Sequence, residues 1–260
     1  MVGLLVAAAL AAATSVPPAP ALPAAPAIFV VRDADTTVYL FGTFHALDGR
    51  SEWFNDRVRQ AFDRSNELVL ETLIPDNSSI AVPPAPQQFR TLSVTPSASF
   101  LASTRMAISA GRAKGLQVSN GADMVLRRAA EADGKAVEGL ETLQSQLSMF
   151  TRMPAAGAAP TSSGPKAMAN LSNSMLEMQD AWKHGNQAVF VRMLGQLERG
   201  APETYRMMFT ERNSRWADWI RARMQTPGTV FVAVGAGHLA GKDSVLVQLA
   251  QRGIPSARVN

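Results

Sequence analysis

At 260 residues, 47% of them hydrophobic and 18% charged, the chain can bury a substantial core, which excludes an intrinsically disordered protein. It contains no cysteine, which excludes disulfides, thiolate zinc sites, cysteine nucleophiles and lipoprotein acylation. The formal charge is +4, but the basic residues are scattered, and the densest run, "ERNSRWADWIRAR", alternates in sign like a helix face. No nucleic-acid partner is expected.

Residues 1–27, "MVGLLVAAALAAATSVPPAPALPAAPA", carry no charged side chain. The apolar stretch is shorter than the run of about 20 residues that spans a bilayer, and small residues near Ala13 and Ala27 offer cleavage sites. A secretory signal followed by an Ala/Pro tether is expected, leaving a mature chain without a transmembrane helix. The first positions lack the Lys or Arg of such signals, and the alternative is an Ala/Pro tail on a cytosolic protein.

From Ile28 the pattern changes. "IFVVRDADTTVYLFGTFH" reads as two strands joined by a polar turn, a hairpin. "SEWFNDRVRQAFDRSN" reads as a helix capped by Ser51, with Trp53, Phe54, Val58, Ala61 and Phe62 on one face. "ELVLETLI" is a buried strand ending at Glu71, which completes a βαβ unit and predicts a mixed or parallel sheet with helices packed on it. The Pro/Ser-rich stretch from Pro75 to Ala98 reads as a surface loop.

A helical middle region follows over about residues 98–225. It holds the amphipathic "GADMVLRRAAEADG", closed by Gly134, and one further strand, "KAVEGLET". Next come "LQSQLSMFTRM", a low-complexity linker, "PAAGAAPTSSGP", and two long helical stretches: Lys166 to about Arg199, interrupted at "HGN" where His184 caps or faces solvent, and Pro202 to about Met224. The methionines of these helices, Met168, Met175 and Met178 among them, read as pliable core. The chain closes with an apolar strand, a Gly-rich turn, a helix and a short strand. The fold class expected is α/β, a mixed central sheet with flanking helices.

Four polar residues fall at the ends of apolar strands: His45, Glu71, Glu141 and His238. Open α/β sheets bind ligands beyond the carboxyl ends of their strands. Two imidazoles and one or two carboxylates there could hold a divalent cation such as Zn, Mn, Co or Fe. The histidines sit in matching contexts, "GTFH" and "GAGH", behind apolar strands. Gly42, Gly235 and Gly237 are expected to supply turns at positive φ and close backbone approach. Each residue also has a structural reading: a turn histidine, a capping glutamate at 71 or 141, and a solvated helix face for Arg212 and Asn213. There is no zincin motif, P-loop, dinucleotide fingerprint or nucleophile elbow.

"YLFGTFHALD", "LVLET", "GADMVL", "GKAVEGLETLQSQLSMF", "ERNSRWADWI" and "VFVAVGAGHLAGKDSVLVQLAQRGIPSARV" together resemble the TraB/GumN family, relatives of the Tiki Wnt-cleaving proteases and of plasmid pheromone-shutdown proteins. The blocks run in family order across residues 28–260. The resemblance implies a core like that of the erythromycin-esterase and ChaN proteins, with a helical insertion. It implies a site in which His45 and His238 match the motif histidines, Glu71 the glutamate after the first βαβ unit, and Arg212 with Asn213 the Arg-Asn pair; Glu141 matches a recurrent glutamate of unassigned role.

Its Tiki branch consists of metal-dependent peptidases, and the signal-like start points to the exported GumN branch. The expectation is a periplasmic metal-dependent hydrolase, a peptidase first, acting on a peptide or protein. His45, Glu71 and His238 would hold Mn, Co or Zn, Arg212 would stabilise oxyanion charge, and Glu71 or Glu141 would act as general base. The alternative is a non-catalytic binding or accessory protein for a peptide, a haem-like ligand or a polysaccharide-assembly partner.

Overall fold

A computed structural model describes residues 25–50, 52–73, 98–153 and 165–259. Ser51, the N-terminal 24 residues, nearly all of the Pro/Ser-rich stretch and the 154–164 linker lie outside the described residues.

The hairpin forms as expected. β1 (Ile28–Arg32) pairs antiparallel with β2 (Thr36–Thr43), and the Asp33 carboxylate accepts from the Thr36 N–H at 2.9 Å to close the turn. Helix α1 (Asp56–Asp63) is capped by Asn55, whose side chain accepts from Arg57 and Val58. Trp53 and Phe54 therefore precede the helix instead of lying on its face. Trp53 stacks on Phe41 at 5.7 Å and serves the same core.

β3 (Glu67–Thr72) follows, then α2 (Ala98–Arg112), α3 (Ala122–Ala132), β4 (Ala136–Glu141) and α4 (Leu143–Arg152). Gly134 takes φ +67 just past α3, the left-handed stop that glycine makes cheaply. α4 is capped by Thr142, whose hydroxyl accepts from the Ser145 N–H at 3.1 Å, so Glu141 is not the cap. α5 (Pro165–Lys183) and α6 (Ala188–Gly200) are separated at Gly185, φ +61. α7 (Pro202–Tyr205) runs through one wide π turn, Arg206–Thr210, into α8 (Glu211–Arg223). β5 (Gly228–Gly235), α9 (Val245–Gln251) and β6 (Ala257–Arg258) end the chain.

The six strands form one mixed sheet in the order β4-β3-β5-β2-β1-β6. β4, β3, β5 and β2 are parallel; β1 and β6 add antiparallel pairs. The fold class is α/β, as expected. β5 is central and reads "TVFVAVG" because both its faces are covered. Val230, Val232 and Val234 meet Trp216, Ile220 and Leu249 of α8 and α9. Phe231 and Ala233 meet Phe62, Leu126 and Trp182 of α1, α3 and α5. No helix among the described residues is long and apolar enough to cross a membrane.

Candidate functional site at the strand ends

The chain crosses from β2 to β3 over a gap that β5 later fills. The carboxyl ends of β2, β5 and β3 therefore stand side by side, and this rim is where ligands enter such sheets. In register, Thr43 faces Gly235. His45 lies two residues beyond the first strand and His238 three beyond the second.

The motif glycines provide space, not unusual backbone: none of Gly42, Gly235 or Gly237 has positive φ. A Cβ on Gly42 would lie 3.0 Å from the Ala236 Cα, so the two Gly-x-x-His turns pack directly on each other. A Cβ on Gly235 would sit 3.1 Å from both Glu71 Oε1 and His45 Nε2, in the middle of the site.

Glu71 reaches from the end of β3 under β5. Its Oε1 accepts from the Gly235 N–H at 2.6 Å, and its Oε2 accepts from Arg212 Nη2 at 3.1 Å. Arg212 is 3% exposed. Its Nε donates to both Glu141 oxygens at 3.0 and 3.1 Å, and its Nη1 donates to His238 Nε2 at 3.3 Å. Its guanidinium carbon lies 4.5 Å from the Trp216 ring centroid. The wide turn at 206–210 immediately precedes it and sets its rotation about the helix, a common place for such a turn.

His238 is gripped on every side. Its ring lies 4.8 Å from Phe209 and 4.4 Å from Trp216, centroid to centroid. Asn213 Nδ2 donates to the Asp243 carbonyl at 2.7 Å, which leaves Asn213 Oδ1 to accept from His238 Nδ1 at 2.6 Å. The proton is thereby fixed on Nδ1, and the Nε2 lone pair faces Glu71 Oε1, 3.6 Å away. Tyr205 donates to the Asp243 carboxylate at 2.9 Å and steadies the turn that carries this carbonyl. Burial, with Asp243 beside it, raises the Tyr205 pKa, so the phenol stays a donor.

His45 is held by one group. Its Nδ1 meets Asp123 Oδ1 at 3.1 Å, while its side chain is 59% exposed. Asp123 arrives because α3 begins just after Gly121, where a Cβ would lie 2.3 Å from the His45 carbonyl oxygen.

Charges follow from these surroundings. Burial works against ionised Glu71, but His238, Arg212, His45 and the Gly235 N–H outweigh it and hold its pKa at about 2. Burial keeps His238 uncharged, at about 3, despite Glu71. Since His238 is neutral over most of the pH range, the cations that keep Glu71 ionised there are Arg212 and, below about pH 9, His45. Desolvation of the inward edge of its ring opposes protonation of His45, yet Asp123 and then Glu71 raise it to about 9.

His45, Glu71, Arg212 and His238 line a cavity of about 540 Å³. Glu141 stands behind Arg212, where Arg215 also reaches it at 3.3 Å, and Asn213 stands behind His238. The capping and solvated-face readings of these residues are replaced by a buried network. Asp123, Tyr205 and Asp243 were not visible as site residues in the sequence. Only Asp123 left a signal, as the acid in the first turn of "GADMVL".

The donor chemistry fits a divalent cation. Both imidazoles have Nδ1 occupied and Nε2 turned inward, with a carboxylate between them, as metal-binding histidines are held. Among the described residues no three such side chains stand close enough to enclose an ion as they are. Arg212 shares the lone pairs of Glu71 and His238.

The TraB/PrgY/gumN family model matches the chain in two overlapping segments, residues 27–97 and 82–258. No curated protein matches it, and no solved structure does.

Proposed function

The chain belongs to the TraB/PrgY/gumN family, and on the chemistry of its site we propose that it is an exported metal-dependent hydrolase acting on peptide bonds. One observation carries this reading. His238 Nε2, the Glu71 carboxylate and the Arg212 guanidinium converge within 3.1–3.6 Å on the floor of an open cavity at the strand ends. His45, Glu71 and His238 would hold Mn, Co or Zn. The ion would supply Lewis acidity at the cavity floor.

The chain's own groups supply the rest. Arg212, clamped by Glu141, presents Nη1 and Nη2 where a carbonyl oxygen gains charge. Glu71, ionised from about pH 2 upward, is an anionic ligand over the whole neutral range. Glu141 has both oxygens on Arg212 Nε and acts as a positioning residue. The uncharged, apolar N-terminal residues support export to the periplasm.

A non-catalytic binding protein using the same cavity for a peptide, a haem-like ligand or a polysaccharide-assembly partner is the second reading. It is favoured by the internal satisfaction of the floor, where Arg212 already bonds Glu71, Glu141 and His238.

Elemental analysis of protein purified without chelators, beside a His45→Ala/His238→Ala double variant, decides between them. Stoichiometric divalent metal in the parent but not in the folded variant is expected. No metal in either, and no binding on titration with Mn, Co and Zn, would leave the binding protein.

A further inference from the structure

The floor of the cavity is polar, but its walls are mostly apolar. Five of the chain's 12 methionines, Met124, Met175, Met178, Met193 and Met208, line it together with four phenylalanines. They come from α3, α5, α6 and the wide turn before α8, segments far apart in sequence. None belongs to the fully buried core, which is built largely of Val, Leu, Ile, Phe and Trp, and all five are half-buried. Met178 and Met193 also pack against the main core, as expected of pliable core for Met178, and with Met175 they turn part of their side chains to the cavity.

A methionine wall has a specific physical property. The side chain is unbranched and polarisable, so it changes shape to follow whatever apolar group it meets. Walls of this kind accept many apolar shapes and select weakly among them. A charged guest would shed its water with little in return, because the charges around the cavity are already committed to each other: Arg212 to Glu71 and Glu141, His45 to Asp123, and Arg127 to Glu131. The volume, about 540 Å³, lies within the roughly 300–1,000 Å³ of small-ligand sites, enough for a large side chain and its flanking backbone. Amide groups of that backbone have polar neighbours in the lining, where Gln146 and Thr72 stand.

We infer that the cavity binds a bulky apolar side chain of a peptide, of the Leu, Met or Phe kind, beside the bond presented to Glu71, Arg212 and His238. It tolerates different apolar shapes and rejects charged ones. The word peptide rests on the hydrolase reading; the apolar preference rests on the wall alone.

The test uses the full chain and peptides acetyl-Gly-Gly-X-Gly-Gly-amide, with X as Leu, Met, Phe, Ala, Asp or Lys. Binding is followed by calorimetry without metal, and cleavage by mass spectrometry with Mn, Co or Zn added. The Leu, Met and Phe peptides are expected to bind about tenfold or more tightly than the Ala, Asp and Lys peptides. A Met178→Gln/Met193→Gln variant should lose that preference and keep its metal binding. The parent series decides the matter even if this variant does not fold. Equal or tighter binding of the Asp or Lys peptide, or no binding by any peptide, overturns the inference. Apolar-selective binding without cleavage under any of the three metals removes the hydrolase reading and leaves this one standing. Cleavage indifferent to X does the reverse.

Discussion

The two Gly-x-x-His turns leave neighbouring parallel strands in register, yet their histidines finish in opposite electrical states. His238, after β5, is 5% exposed, lies between two aromatic rings and stays neutral down to about pH 3. His45, after β2, has a 59% exposed side chain and one carboxylate partner, and holds its proton to about pH 9. The strand end delivers an imidazole to the rim in both cases. What packs over it then decides its charge: the wide turn and first turns of α8 on one side, only the first turn of α3 on the other. The molecule thus pairs a rigid, preset imidazole with one that a change of pH or a competing cation can reach.

The rigid half should resist substitution least. Arg212→Ala would strand Glu71 and Glu141, whose side chains are 14% and 8% exposed, without their shared cation. Breaking such a buried pair costs about 3–5 kcal/mol, and urea denaturation should show a loss of that size. Arg212→Lys should recover little of it, since an ammonium cannot span three acceptors in a plane. A loss below about 1 kcal/mol, the range of exposed pairs, would erase the contrast between the two halves.

Asn213→Ala comes next. It removes the acceptor for His238 Nδ1 and leaves the Asp243 carbonyl without its donor. Stranding buried polar groups costs about 1–3 kcal/mol. The sharper readout is nitrogen NMR of the imidazole. The parent should show His238 as the Nδ1–H form alone, and the variant a mixture of the two neutral forms. A parent that already shows the mixture would mean that Asn213 does not set the tautomer.

The two halves were not equally legible in the sequence. Both histidines and both glutamates stand out because each ends an apolar strand, and that placement holds. The insertion of β5 between β3 and β2 did not stand out, since strand order depends on pairings between residues far apart in the chain. The glycines were visible, but not whether they answer a need for φ or for space; the close approach of Gly42 to Ala236 is a tertiary fact. Arg212 and Asn213 sit in a charge-rich helix that local pattern reads as solvated. Only the fold reveals that they are its buried residues. For the cap of α1, Asn55 and Ser51 offer the same chemistry four residues apart, and sequence alone does not choose.

The pH dependence of the chelator-treated protein separates the halves again. His238 and Glu71 have folded pKa values depressed from 6.5 and 4.5 to about 3 and 2. Between those limits the unfolded chain binds protons that the folded chain does not, so stability must fall as pH falls. The urea midpoint should decline steadily from near pH 6.5 downward. His238→Asn should remove the upper part of that decline. A midpoint flat between pH 6.5 and 4.5 in the parent would mean that His238 takes up its proton in place.

Asp123→Asn should have the smallest effect on stability and the clearest effect on charge. The His45–Asp123 pair is 59% and 26% exposed, and an exposed pair contributes about 1 kcal/mol or less. Its contribution is present in full below pH 6.5, the unfolded value, and is lost as pH rises through about 9, the folded one. The variant should therefore flatten the alkaline limb of the stability curve and leave the acid limb unchanged. In proton NMR the His45 titration should move down from about 9 toward its ordinary value, while His238 stays neutral throughout. If Asp123→Asn instead moved both imidazoles together, the two strand ends would form one coupled unit, and the division between a preset and an adjustable histidine would be wrong.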